Sequence, residues 1–231
     1  MTQTPLKTKL GKRLKHLLAA IPQNSQIVWD LCCDHGALGR AIIESRTETG
    51  VVFNDIHPDI MARLSEQLIR LQAKNYEIVI APAETIELKN IENQTVVLAG
   101  VGDEQCITIM QALSQQKYAT NCRFIISPTT KVALVRRYLI DAGYFLLEES
   151  VVTENKRTYE VLTVSTSARF GGTKMSDDNG DDIGQCWQPT TDHIQHLNKL
   201  IGYYQGQTIN VTKPYAKSLL CQYQVILKSI A

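Results

Sequence analysis

One repeating pattern constrains this chain more than any other. Short, wholly apolar runs alternate with segments whose apolar residues recur every three or four positions. The runs are "QIVWDL", "GVVFND", "YEIVIAP", "QTVVLAG" and "CRFIISP". The helical patterns are "ALGRAIIES", "PDIMARLSEQLIRLQ", "EQCITIMQALSQ" and "KVALVRRYLIDAG". A strand with no polar alternate has to be covered on both faces, and a parallel sheet with helices front and back does that. Pro58 suits a first helical turn and Gly143 a helix C-terminus. The stretch "YFLLEESVVTENKRTYEVLTVS" then reads as two strands around a polar turn, an antiparallel end to the sheet. The expected fold class is α/β: a doubly wound sheet of about seven strands.

Both ends of the chain differ from this middle. Leu6, Leu10, Leu14, Leu17, Leu18 and Ile21 make one stripe and predict a helix over about residues 6–21. Lys7, Lys9, Lys12, Arg13 and Lys15 fall mostly off the stripe and form a basic face. Beyond Arg169 the stretch "GGTKMSDDNGDDIGQ" is poor in apolar residues and reads as a linker or loop. Ile194, Leu197, Ile201 and Tyr204, then Ala216, Leu219 (or Leu220), Tyr223 and Ile226, predict a short helical hairpin broken near "NVTK" and Pro214. The expected division is residues 1–168 and 169–231. Tyr203, Tyr204, Tyr215 and Tyr223 fit hairpin packing better than base stacking.

A net charge of +1 gives no global pull toward nucleic acid, so any such pull must be local. No run of about 18 apolar residues suggests a membrane span, and the N-terminus lacks the apolar core of a secretory signal. The six cysteines show no CxxC pair, which fits a reduced, cytoplasmic chain.

Chemistry concentrates at the expected carboxyl ends of the strands, where doubly wound folds bind ligands. "VWDLCCDHGALGR" runs from the first strand into a glycine-bearing turn. Cys32, Cys33, Asp34 and His35 together resemble metal ligands. They lack the C-x₂₋₄-C spacing and second ligand pair of a structural zinc site, so no metal is expected. The turn instead suits a nucleotide cofactor held by backbone N–H groups and a helix N-terminus. Asp30 either belongs to that cofactor loop or caps the following turn. Asp55 closes the second strand, where an acid can accept hydrogen bonds from ribose hydroxyls, with Ile56 beside it. Ala83 and Glu84 follow the third strand. Gly100, Val101, Gly102 and Asp103 follow the fourth, and Asp103 is either chemical or an N-cap. Ser127, Pro128 and Thr129 follow the fifth.

The order "DLCCDHG … ND … APAE … VVLAGVG … FIISP … ENKRTYEVL" resembles the bacterial tRNA (adenine22-N1)-methyltransferase family, which uses S-adenosylmethionine. That family carries D-I-G-S-D-H in its first loop, A-G-M-G-G after the fourth strand and Q-P-N after the fifth. The resemblance runs from roughly Leu6 to Val164, and the C-terminal "HIQHLNKLIGYY" resembles a shortened form of the family's helical appendage. Cys32 and Cys33 stand where the family has Gly and Ser. A side chain at position 32 is expected to narrow the cofactor site or shift the turn. Val101 and Asp103 replace Met and Gly, and Ser127 and Thr129 replace Gln and Asn.

The resemblance implies a Rossmann-like methyltransferase sheet, S-adenosylmethionine as cofactor and tRNA as partner. It implies a cofactor site of Asp30, Cys32, Asp34, His35, Gly36, Asp55, Ile56, Ala83, Glu84, Gly100 and Val101. Asp34, and after it Asp103, would stabilise charge on the base or accept a proton from its exocyclic amine. Asp34 could equally brace its turn, and His35 could orient it. Ser127, Pro128 and Thr129 would lie at the target base. Lys12 and Arg13, with Arg136 and Arg137 as further candidates, would neutralise phosphates. Tyr138, Tyr144 and Tyr159 are the candidates to stack on a base, with nothing in the sequence to choose among them. Three other readings fit these residues: methylation of another RNA base or other substrate, a non-catalytic RNA-binding module of the same fold, or a plain nucleotide-binding sensor.

Overall fold

The computed structural model describes residues 7–210 and 214–231. Leu6 and the "VTK" of the predicted hairpin break lie outside the described residues. Five parallel strands form one side of the sheet: β1 (Ile27–Leu31), β2 (Gly50–Asp55), β3 (Tyr76–Ile80), β4 (Gln94–Ala99) and β5 (Cys122–Ser127). β6 (Phe145–Glu154) and β7 (Arg157–Ser165) make the antiparallel end. A further two-residue strand, β8 (Thr173–Lys174), pairs with the start of β6, so the sheet has eight strands and not seven. Two polar residues carry no periodicity, and only the exposed edge of β6 makes them a strand. The order is β3-β2-β1-β4-β5-β7-β6-β8, and the connections reverse direction between β1 and β4.

Each face of the sheet is covered, as continuous apolar strands require. α1 (Lys12–Ala20), α2 (Ala37–Ser45) and α3 (Pro58–Arg70) bury Leu17, Ile42 and Leu64 against Val28, Phe53 and Val97. α4 (Asp103–Ser114) and α5 (Val132–Asp141) bury Ile109, Leu113 and Leu139 against Trp29, Val96 and Phe124 on the other face. A fully buried side chain such as Leu17 contributes about 1.5–3 kcal/mol.

The N-terminal helix is shorter than its apolar stripe. α1 starts at Lys12, with Gly11 as N-cap, so Lys7 and Lys9 precede it. A competing set of bonds holds that stretch. The Glu44 carboxylate in α2 accepts the Lys7 and Thr8 N–H groups at 2.7 and 3.0 Å and the Thr8 hydroxyl at 2.6 Å.

The C-terminal hairpin is longer than expected: α6 (Thr191–Asn210) and α7 (Pro214–Ile230). Leu197, Tyr204, Leu219 and Tyr223 form its seam, and the Tyr204 and Tyr223 rings stack at 5.8 Å. That is the packing role expected for the tyrosine stripe. The polar stretch before it is folded down and not loose. Met175, Asp181, Asp182 and Ile183 are buried, and Asp182 accepts a bond from Gln222 of α7 at 2.8 Å.

Arg136 holds this junction together. It is 1% exposed, and its guanidinium donates to Glu160 at 2.9 and 3.0 Å, to Glu149 at 2.8 Å and to the Asp181 carbonyl at 3.1 Å. Gly184 passes so close that any side chain there would meet the guanidinium. Arg136 is therefore not available to phosphate, which corrects its place among the surface cations. Arg137 is turned outward but paired with Asp177 at 2.7 Å.

Candidate active site

Left-handed backbone builds the first loop. After Leu31 the chain passes through Cys32 (φ 52°), Asp34 (φ 50°) and Gly36 (φ 62°) before α2 begins. Non-glycine residues in this region cost on the order of 1–2 kcal/mol each. The Cys33 N–H donates to the Asn54 carbonyl at 2.9 Å, and the Gly36 N–H to the Cys33 carbonyl at 2.8 Å, which hold the turn against that cost. Gly36 needs its positive φ, and a Cβ there would crowd Leu64 and Phe53.

The two cysteines are packing groups. Cys33 sits 3.9 Å from the Met61 sulfur in the α2–α3 core. Burial pushes its thiol well above the ordinary range, and it pushes Cys32 up to about 11. Both are neutral thiols at pH 7. Among the described residues no group of three or more His, Cys, Asp or Glu could hold a metal ion.

Asp30 and Asp55 end neighbouring strands and differ in state. Asp30 is 5% exposed and accepts the Gly39 N–H of the first turn of α2 at 2.9 Å. Burial pushes its carboxyl up to about 7, the single N–H bond only partly offsetting it. For Asp55 burial is again the largest influence and would raise the value. Bonds from the His57 ring (2.7 Å), the Asp34 N–H (3.0 Å) and the His57 N–H (3.2 Å) outweigh it and hold the carboxyl low.

A cavity of about 380 Å³ opens at the carboxyl ends of β1, β2 and β3. Of the expected residues, Cys32, Asp55, Ile56, Ala83, Glu84 and Val101 line it. Asp30 and Gly36 lie behind the lining. Asp34 and His35 sit on the exposed rim, 3.6 Å apart. The sequence reading missed Asn54, His57, Pro82 and Gln105, which also line the cavity. Asn54 was detectable as a polar residue inside the apolar run "VVFND". It is fully buried and donates to the Val79 and Ala81 carbonyls at 3.2 and 2.8 Å, while its Oδ1 has no partner.

The loops after β4 and β5 are stitched together beside this cavity. The Gly100 N–H donates to the Ser127 carbonyl at 3.2 Å, and the Thr129 N–H to the Val101 carbonyl at 2.8 Å. Ser127 and Pro128 are buried and Thr129 half-buried. Asp103 is the first residue of α4, and the N-cap is Gly102, not Asp103. Its carboxylate accepts the Thr130 hydroxyl at 2.6 Å and lies 3.7 Å from Lys131. Arg13 reaches over from α1 and donates to the Ser127 carbonyl at 2.9 Å, and Lys12 stays exposed beside it. Of the three tyrosines, Tyr144 is 1% exposed in the core and cannot stack on a ligand, while Tyr138 is half-buried and packs against it at 6.1 Å. Tyr159 is half-buried, with the Arg13 guanidinium 4.3 Å from its ring centre.

A doubly wound sheet with a cavity and two stitched loops at one strand edge defines the class of αβ enzymes that bind a nucleotide-like cofactor there. The family model described as "Methyltransferase domain" matches residues 10–162, about two thirds of the chain. The chain belongs to this methyltransferase-domain family. It is similar to the tRNA (adenine(22)-N(1))-methyltransferase of Bacillus subtilis strain 168: 25% identical over 162 residues, 70% of this chain and 67% of that protein. Solved structures share the fold over nearly the full length. M. capricolum TrmK, in complex with its natural cofactor product S-adenosyl-homocysteine, has a TM-score of 0.72 at 17% identity and covers 96% of each chain. The B. subtilis M1A22 tRNA methyltransferase TrmK has a TM-score of 0.69 at 20% identity, covering 97% of this chain and 99% of its own. No helix among the described residues is long and apolar enough to cross a membrane.

Proposed function

We propose that the protein transfers a methyl group from S-adenosylmethionine to ring nitrogen 1 of an adenine in tRNA, at position 22. One observation carries the reading. The cavity beside β1 and β2 and the seam joining Gly100 to Ser127 share one edge, so a cofactor and an acceptor base can meet there. The similarity to the B. subtilis enzyme supports the choice of base and RNA.

The residues fit such a cofactor. A cavity of about 380 Å³ is within the range of small-ligand sites. Asn54 Oδ1, buried and without a partner, is an acceptor waiting for a donor. Asp55 is held ionised at the ribose position, with Ile56, Ala83, Glu84 and Val101 around it. Asp30 keeps the loop rigid through the Gly39 N–H, and Cys32, Gly36, His35 and Gly100 complete the site. When bound, S-adenosylmethionine supplies an electrophilic methyl on a sulfonium. The chain's task is then mainly alignment, since adenine nitrogen 1 already carries an in-plane lone pair. Nitrogen 1 takes part in base pairing, so the base must be flipped or unpaired to reach the edge.

Asp34 takes the chemical role. Its exposed carboxylate on the rim can accept from the exocyclic amine and balance the charge that develops on the ring. Asp103, bound to Thr130, fixes the acceptor loops. Ser127, Pro128 and Thr129 flank the base, and Lys12 and Arg13 meet phosphates.

Calorimetry with S-adenosylmethionine should show binding, and nucleoside mass spectrometry of unmodified tRNA after incubation should show 1-methyladenosine. Asp34→Ala should lower kcat by about 10²–10⁴ with cofactor affinity unchanged. No binding at millimolar cofactor would sink the enzyme reading. A different methylated nucleoside would sink the choice of base.

A further inference from the structure

We infer that Arg13, Tyr159 and Arg157 form a phosphate seat for the nucleotide that is methylated. The inference rests on the tRNA reading above and gives that substrate a specific contact. Tyr159 comes two residues after Arg157 in β7, which runs antiparallel to β5 and brings both beside Thr129. The Arg13 guanidinium carbon lies 4.3 Å and that of Arg157 5.3 Å from the Tyr159 ring centre, both within cation–π range. Each arginine is also anchored to the acceptor loop by one nitrogen. Arg13 Nη2 donates to the Ser127 carbonyl at 2.9 Å, and Arg157 Nη2 to the Thr129 carbonyl at 2.8 Å.

The remaining donors are what a ligand would use. Arg13 Nε is enclosed and without a partner, and Nη2 is taken by Ser127, so Nη1 is the edge left for a ligand. Its Nη1 lies 3.9 Å from where a side chain on Gly100 would begin, at the seam between cavity and acceptor loops. The nearby acid, Glu154, accepts the Arg13 backbone N–H at 3.4 Å and makes no hydrogen bond to its guanidinium among the described residues. Two like charges near one ring repel each other, and the Arg157 charge acts on Arg13 in that sense, so a nearby anion lowers the repulsion. The planar forks of arginine match phosphate oxygens in pairs.

The base itself does not fit this position. Methylation leaves nitrogen 1 positively charged, and a guanidinium facing it would oppose the reaction. The cations therefore belong on the phosphate side of the nucleotide, with Tyr159 holding their planes.

The test measures tRNA binding at several salt concentrations and methylation kinetics on the full chain. Arg157 is exposed, so Arg157→Ala should fold as the parent does. It should raise the tRNA KM about tenfold with kcat within about twofold, and reduce the slope of log affinity against log salt by about one. Tyr159→Leu should raise KM similarly, because the ring no longer aligns the forks, and Tyr159→Phe should behave as the parent. Affinity for S-adenosylmethionine should be unchanged in all three. Parent values of both KM and salt slope in Arg157→Ala overturn the phosphate seat while leaving the tRNA reading intact. A lowered melting temperature with an unchanged slope also overturns it, since that is a purely structural role. A parent that binds no tRNA overturns both.

Discussion

Two buried charges in this chain meet opposite fates. Asp30, at the floor of the first loop, is 5% exposed and accepts one N–H, and burial pushes it up to about 7. Arg136, at the hairpin junction, is 1% exposed, faces two carboxylates and a carbonyl, and stays charged. For Arg136, burial is the largest influence and would lower its value, yet Glu160 and Glu149 together raise it. The comparison teaches that burial alone does not decide charge; the number of complementary partners does. The Arg136 guanidinium is saturated, which suits a fixed attachment. The loop offers its buried carboxyl one N–H and carries three left-handed residues.

The comparison breaks most sharply at Arg136. Arg136→Met should leave Glu160 buried and unpaired and destabilise the fold by about 3–5 kcal/mol, read as a lower urea midpoint. A double change, Arg136→Met with Glu160→Met, should recover much of that loss. If the single change cost no more than an ordinary surface substitution, the saturated-junction account would fail.

Asp30 supplies the next effect, in pH dependence. Its folded pKa lies above its unfolded value, so the folded state holds the proton longer. Its stabilising contribution is complete below about pH 4 and is lost as pH rises toward about 7. Asp55, held low, works with the opposite sign: its contribution is present above the ordinary carboxylate range and is lost as pH falls through its folded value. Asp30→Asn should keep an acceptor for the Gly39 N–H and make the parent-minus-variant stability difference shrink as pH rises from 4 to 7. A pH-independent difference would contradict the buried-carboxyl assignment.

Cys32→Gly should have the smallest effect. Relief of the positive φ is partly offset by glycine's extra freedom in the unfolded chain, leaving a gain of about 1 kcal/mol or less. The same change removes a side chain from the cavity, so cofactor affinity should rise. A lower affinity in calorimetry would show that the Cys32 side chain contributes a favourable contact.

The sheet and its edge were legible because β1, β2, β4 and β5 announced themselves as apolar runs buried on both faces. The order of chemistry-bearing segments along that edge followed from the alternation. Other parts were hidden for identifiable reasons. β8 depends on an open edge of β6, which no local pattern reveals. Lys7 and Lys9 fall within the span of the apolar stripe, yet the Glu44 bonds draw that stretch out of helix. In the sequence Arg136 reads, with Arg137, as a further candidate for phosphate. Its spacing with Val132, Val135 and Leu139 already put it on the buried stripe of α5. Asn54 and Tyr159 gained their meaning from neighbours far away in the chain.

The sequence by itself determined the doubly wound sheet, the strand ends where the site forms and the family resemblance, because periodicity and turn chemistry are local. The tertiary fold alone packs Cys33 into the α2–α3 core, ties two loops together through Asp103 and sets Tyr159 beside the Arg13 guanidinium. Those outcomes depend on desolvation and on partners supplied by distant segments. A carboxylate, a thiol or an arginine has the same formula in solvent or in a core, and its partners in the fold set its charge and its use.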